Sequence, residues 1–456
     1  MRQETAEEKY IRMTETPVKK LICSLSIPTI ISMLITSIYN MADTFFVGKI
    51  GTSATAAVGI SFSIMAIIQA IGFTCGMGSG NYIARLLGNK EREKACRVAA
   101  TGFVMAFVIG TILAIIGLIF IKPLVYFLGA TDTIYPYAKS YVQVILIGMP
   151  YMTTGFVMNN ILRFQGSAFY AMLGIGSGAI LNIILDPIFI FGLNMGVQGA
   201  AISTIIGQLV SFCILFHNCS IGGNIKIELR KFTPKWEIYR EILRGGLPSF
   251  YRQGLSSVST IVLNLSAGVY GDAAIAAMSI VTRVFMFALS ALLGFGQGFQ
   301  PVCGFNYGAK KYNRVLDSFW FCIKSAFIFL IIVDIVGFIF APEIISLFRK
   351  EDLEVIKIGT KALRFQCISF PLSAWIIITT MLLQTIGKSA KASILSLSRQ
   401  GMFFIPAIII MPKIIGLTGV QCSQAIADVL TFIMAVPLGL SVIKELKDNM
   451  NKSLTR

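Results

Sequence analysis

Twelve apolar stretches of bilayer length divide this chain, and no other feature constrains its fold as strongly. They fall near residues 25–47, 54–84, 98–121, 135–162, 169–191, 197–217, 246–270, 273–305, 315–341, 355–385, 392–411 and 416–443. A helix crosses the hydrocarbon core with about 20 residues, and backbone polar groups in lipid must be bonded within the helix. The expectation is therefore an all-α polytopic membrane protein with 12 transmembrane helices. The second, fourth, eighth and tenth stretches exceed a bilayer thickness, so they are expected to tilt or to project past it. Only 13% of the residues are charged and the mean hydropathy is +0.76, which excludes a soluble domain. The net charge of +17 would suit a nucleic-acid partner, but the Lys and Arg residues gather in short segments between apolar runs. That placement belongs to a lipid bilayer, not to nucleic acid.

Those basic residues alternate in density from loop to loop. One side holds the N-terminus, the 2–3 loop from Arg85 to Arg97, the 6–7 loop from Lys226 to Arg244, and the C-terminal tail to Arg456. The other side has only Lys49, Lys122, Arg349, Lys350 and Lys413. The positive-inside rule then places both termini in the cytoplasm, in the cytoplasmic membrane. The run after Lys20 is too long for a signal-peptide core and reads as a retained first span. Nine cysteines without a C-x-x-C pair, most inside apolar runs, read as packing residues. His217 is the only histidine and is given no role.

The two halves of the chain repeat each other at an offset of about 220 residues. Ile27-Pro28 matches Leu247-Pro248, Gly88 matches Gly308, Pro150 matches Pro371, and Gly196-Val197-Gln198 matches Gly419-Val420-Gln421. Six spans is an even number, so both halves enter in the same sense and their axis lies along the membrane normal. The expected organisation is a cytoplasmic segment 1–24, an N-lobe 25–217, a cytoplasmic linker 218–245, a C-lobe 246–443 and a tail 444–456.

Acidic residues inside the spans carry the functional signal. A carboxylate at mid-bilayer costs roughly 2.5–3.5 kcal/mol on insertion scales, so it needs a reason to be there. Asp43 lies in the first span, which also carries Pro28, a residue that permits a kink and is the expected hinge. Asn182 and Asp186 are four residues apart on one helix face, and Pro187 frees the carbonyl of Ile183 beside them. Counted from the span ends, Asp43, Asp186 and Thr204 fall at one depth, roughly 8–12 Å in from the outer end. Four oxygen-bearing side chains at one level suit a hard cation such as Na⁺, or a proton held by one of two neighbouring acids. At the repeat offset Asp43 falls on Leu263 and Asp186 on Ala407, so the coupling site is expected in the N-lobe alone.

Other residues suggest lesser roles. Tyr39, Asn40, Tyr151, Met158, Asn159 and Met286 are candidate lining for a substrate cavity, where adaptable Met and flat aromatics suit varied ligands. Arg399 and Asp428 are expected to form a structural ion pair, while Arg252, Lys324 and Arg399 lie near enough to a span end to snorkel. Arg283 and Asp334 are buried charges without an assigned role. Gly72, Gly76 and Gly80 repeat G-x-x-x-G in span 2, which reads as close helix packing. No Lys-Ser/Thr follows, so it is not a phosphate loop.

The stretches IPTIISMLITSIYNMADTFFVGKIGTSATAAVGIS, GAILNIILDPIFIFGLNMGVQGAAIST and VTRVF…GFGQGFQP resemble the multidrug and toxic compound extrusion (MATE) family, in its DinF-like and MepA-like bacterial branch. The resemblance covers nearly the whole chain. It implies a two-lobe antiporter, functional as a monomer, that exports small organic compounds, often cationic, in exchange for inward H⁺ or Na⁺. It implies an N-lobe ion site at Asp43, Asn182, Asp186 and Thr204, and a hydrogen bond from Tyr141 to that cluster. The chain departs from the NorM-like branch, whose C-lobe carries carboxylates in spans 7 and 10; here those spans have none. A lipid-linked oligosaccharide flippase of the same superfamily is the alternative, and twelve spans with an acid cluster argue against it. No nucleophile–base or metal constellation points to an enzyme or to a bound cofactor.

Overall fold

The long apolar runs become long helices because lipid leaves the backbone no other partner. The computed structural model describes residues 4–348 and 352–454; Arg2, Arg349, Lys350 and Arg456 lie outside them. Twelve spans thread the fold. Spans 1 to 6 are Val18–Gly48, Thr52–Gly88, Arg92–Ile119, Tyr135–Phe164, Ala168–Pro187 with a wide turn Ile188–Gly192, and Gly196–Cys219. Spans 7 to 9 are Trp236–Gly268, Asp272–Gly308 and Tyr312–Ile339. Span 10 is the pair Leu353–Ser369 and Leu372–Thr385, span 11 runs Ser389–Leu397, Ser398–Phe404 and Ile405–Ile415, and span 12 is Leu417–Leu454.

Length is handled differently in different spans. Spans 2 and 8 each run 37 residues without a break, as their apolar length requires. Span 10 instead bends by 55° between its two pieces, at the segment that holds Pro371. Proline cannot donate to the preceding turn, so the break falls where a backbone bond is already missing. Span 7 begins at Trp236, well before the expected Gly246. It is also the span that fails a simple test of apolar length, because Arg240, Arg244, Arg252, Gln253 and a run of Ser interrupt it.

The two lobes meet through spans 1 and 2 on one side and spans 7 and 8 on the other. Gly72, Gly76 and Gly80 face Phe156, Asn160 and Phe164 of span 4, one turn apart on both helices, so the G-x-x-x-G face packs inside the N-lobe. The neighbouring Gly78 faces the other lobe. A Cβ there would stand 1.9 Å from the carbonyl oxygen of Ile242, and one on Gly246 would stand 2.0 Å from that of Thr74. Only glycine allows the two backbones to come this close.

Hydrogen bonds between the lobes follow the same half of the bundle. Thr385 donates to Asn81, Gln253 to Gln69, and Thr29 to the Gly294 carbonyl. The outermost such bond among the described residues joins Ser37 and Ser290, 3.1 Å apart near the middle of their spans. Beyond it toward the far end no described hydrogen bond crosses between the lobes. The fold is therefore closed at the end that carries both termini.

A short helix, Ala6–Glu15, reinforces that closed end. Thr5 and Glu8 cap it reciprocally, each side chain accepting from the other's backbone N–H. Its far end is held by the C-lobe: Asn306 donates to the Met13 carbonyl and Arg314 to the Thr16 carbonyl. Its flank is held by the N-lobe, where Arg12 donates to the Gly166 carbonyl. Met13, Leu21, Met77, Phe164, Phe299 and Phe305 form one apolar core from parts of both lobes.

Candidate functional site

Span 5 presents Asn182 and Asp186 on one face, and span 6 answers with Ser203 and Thr204. The two spans are joined by a tight connection and pack along their length, with Gly178 against Gly207 leaving room for the approach. The Ser203 hydroxyl donates to Asp186. With the Asn182 amide oriented to satisfy its neighbours, its nitrogen donates to Asp186 Oδ2 at 3.2 Å. Its oxygen then accepts from the Thr204 N–H at 3.1 Å and the Thr204 hydroxyl at 3.3 Å. Asp186 is fully buried, and Asn182 and Thr204 nearly so.

Span 1 brings the second acid. Asp43 is 4% exposed, on a span that packs against span 5. Its Oδ1 has no hydrogen-bond partner among the described residues. Tyr39, one turn earlier on span 1, and Tyr141 of span 4 are both buried and both border Thr204. The structure thus buries Asp43, Asn182, Asp186, Thr204, Tyr39 and Tyr141, from four spans, in the N-lobe. A buried carboxylate oxygen without a donor is costly and gains by taking up a proton or a cation. No group of three His, Cys, Asp or Glu side chains with metal-binding geometry occurs among the described residues. A cation there would rest on two carboxylates with amide and hydroxyl oxygens, a set that suits a hard monovalent ion.

Ser203 is the member that sequence reasoning missed. Its signal was available: it adjoins Thr204, and it supplies the donor that an acid as deeply buried as Asp186 requires. Several cavity candidates land elsewhere. Met158 is fully buried in the N-lobe core, and Asn159 donates to the Ala171 carbonyl at 3.1 Å, so both are packing residues. Tyr151 ties span 4 to span 6 through the Ile205 carbonyl at 2.8 Å. Asn40 is exposed on span 1, and Met286 borders cavities of the C-lobe. Pro28 lies within an unbroken span 1, and Ser32 donates to its carbonyl at 2.9 Å.

In the C-lobe, Arg399 donates from Nε to Asp428 at 2.8 Å, the ion pair that the sequence suggests. Arg399 and Arg252 both turn toward cavities inside the lobe and do not snorkel to a span end. Asp334 is 6% exposed, and neither of its oxygens has a hydrogen-bond partner among the described residues.

This architecture has relatives. The MatE family model matches residues 28–188 and again 248–410, once in each lobe. The chain belongs to the MatE family. Its two matches fall on corresponding parts of the sequence repeat, as a family built from a duplicated half requires. Among curated proteins, the multidrug export protein MepA of Staphylococcus aureus is 30% identical over 434 residues, covering 94% of this chain and 95% of that protein. MepA of Staphylococcus haemolyticus is 28% identical with the same coverage. Among solved structures, the outward-facing conformation of a multidrug resistance MATE family transporter of the MOP superfamily aligns with a TM-score of 0.90 at 30% identity. That alignment covers 96% of this chain and 98% of the other. The MatE membership makes this a twelve-span, two-lobe membrane transporter whose relatives export multiple drugs.

Proposed function

We propose that this MatE protein is a secondary active exporter of small organic compounds, cationic ones among them, driven by inward H⁺ or Na⁺. The observation that carries the reading is the pairing of Asp43 with Asp186. Two acids are buried in one lobe on spans that pack together, and one of them lacks a partner for its oxygen. Charged, the pair attracts a cation; neutralised by an ion, it no longer does. Ser203, Asn182 and Thr204 hold Asp186 in place, and Tyr39 and Tyr141 close the pocket from the side.

The lobe contacts supply the other half of the cycle. With both termini in the cytoplasm, the closed end of this fold faces inward and the N-lobe pocket lies on the outward half. A bend in span 1 near Pro28 would move Asp43 relative to Asp186 and so link ion binding to release of cargo. Each net charge that crosses inward gains roughly 2.3 kcal/mol per 100 mV of membrane potential; one-for-one exchange with a monovalent cation is electroneutral and draws on the ion's concentration gradient alone.

The test uses purified protein in lipid vesicles loaded with a cationic dye. A pH gradient and a Na⁺ gradient are imposed separately, and one of them is expected to drive dye transport. Asp43→Asn is expected to abolish it while leaving the melting temperature within a few degrees of wild type. Unimpaired transport by that variant at equal protein content would refute the assignment.

A further inference from the structure

Span 7 is the most polar of the twelve, and its polar residues face a feature that the N-lobe site does not use. Two adjoining cavities of about 120 Å³ and about 110 Å³ lie inside the C-lobe, sharing Ser256, Met286, Leu289, Arg399 and Gln400 as walls. Span 7 contributes Arg252, Gln253, Ser256 and Ser259. Span 11 contributes Arg399 and Gln400 from the widened helix Ser398–Phe404, a form common at functional sites. Ser259 donates to the Gln400 carbonyl at 3.0 Å, so the widened turn is anchored to span 7.

The charge balance of these cavities is one-sided. No Asp or Glu lines either of them. The Arg399 guanidinium is matched by Asp428, which also accepts from Gln424 at 3.0 Å. Arg252 lines the second cavity and has no ion pair or hydrogen bond among the described residues. One positive charge is therefore left over in a space otherwise furnished with neutral donors. An uncompensated arginine at this depth is costly, and a ligand of opposite charge removes the cost. Met278, Phe285, Met286 and Phe370 give the first cavity an apolar side, beside the neutral polar groups of Thr260, Thr282, Gln366 and Gln424. A carboxylate on an apolar body suits such a site, its charge meeting Arg252 and its body the apolar side of the cavity.

We propose that the C-lobe holds a second ligand site, which takes the carboxylate of an amphipathic organic molecule on Arg252 and its apolar body against Phe285, Met286 and Phe370. It complements the N-lobe acids, which suit cations. Its consequence for export rests on the transporter reading above; binding to the cavity does not.

The experiment is an equilibrium titration with purified protein in lipid nanodiscs, without any ion gradient. The probes are dansylglycine and its uncharged methyl ester, read by dansyl fluorescence. Wild type is expected to bind the acid at least about ten-fold tighter than the ester, the worth of one charge-assisted contact. Arg252→Gln is expected to bring the acid down to the level of the ester, and Arg252→Lys to restore most of the difference. Gln400→Leu, on the opposite wall, is expected to weaken both probes, which covers the case in which Arg252→Gln lowers the melting temperature. Equal binding of acid and ester by wild type, no binding of either, or an unchanged acid affinity in Arg252→Gln overturns the proposal. Failure of the export reading would show elsewhere, as wild-type dye transport by Asp43→Asn.

Discussion

The Nζ of Lys9 lies 2.9 Å from the hydroxyl of Ser167, a contact between the N-terminal helix and the start of span 5. Lys9 also donates to Asn224 of the linker between the lobes, and it is 5% exposed. Burial pushes its ammonium down to about 8 from the ordinary 10.5. Between those values the unfolded chain holds more protons than the folded one, so stability rises with pH across that window. Below pH 8 the full penalty is present. Wild type is expected to gain on Lys9→Met, by at most roughly 3 kcal/mol, as pH climbs from 8 to 10.5. Thermal melting of both proteins across that range checks it; a gap independent of pH would show that Lys9 is not desolvated.

The contact between Ser37 and Ser290 marks the outer limit of the closed region. Paired cysteines at those two positions, in a chain with the exposed Cys23 and Cys213 changed to Ser, are expected to cross-link under mild oxidation. The cross-linked protein is expected to lose transport and to regain it on reduction. Full transport with the bond in place would mean that the lobes need not part there.

Ser203 is the donor that Asp186 relies on. Ser203→Ala leaves a buried carboxylate oxygen short of a partner, at a cost of about 1–3 kcal/mol. Transport is expected to fall several-fold, with Ser203→Thr retaining most of it. Equal rates in vesicles for Ser203→Ala and wild type would remove Ser203 from the site.

Asp334 is buried beside the Cys367 thiol, and neither of its oxygens has a well-formed hydrogen bond among the described residues. Replacing it by leucine removes a buried polar group without a well-formed hydrogen bond, and is expected to raise stability by about 1–3 kcal/mol. A lower melting temperature for Asp334→Leu would show that the carboxyl is engaged in the folded protein.

How much of this was legible in the sequence depends on the type of signal. The twelve spans and the doubled scaffold could be read because both depend on patterns that persist over tens of residues. Asp43, Asn182, Asp186 and Thr204 could be placed at one depth because helix rise is constant, and Arg399 with Asp428 because two opposite charges inside apolar runs have few alternatives. The start of span 7 could not be read, since Glu237, Arg240, Glu241 and Arg244 look like a loop until the helix is seen to continue through them. The docking of the N-terminal helix was hidden for a related reason. Thr5 and Glu8 announce a helix, but nothing local says that Lys9 points inward. The burial of Met158 and the bond from Asn159 to the Ala171 carbonyl could not be read either, because residue type suggests a lining while only packing decides which face is covered.

The polarity of span 7 has a consequence for biogenesis. Trp236–Gly268 carries Arg252 and a row of hydroxyl and amide side chains, so it partitions poorly into lipid by itself. Span 2 already meets Gln253, but Arg252, Ser256 and Ser259 gain the rest of their surroundings only once spans 8, 10 and 11 have been made, all of them later in the chain. Span 7 must therefore wait at the translocon, or sit in the bilayer half-shielded, until the ribosome delivers the neighbours that make its place habitable.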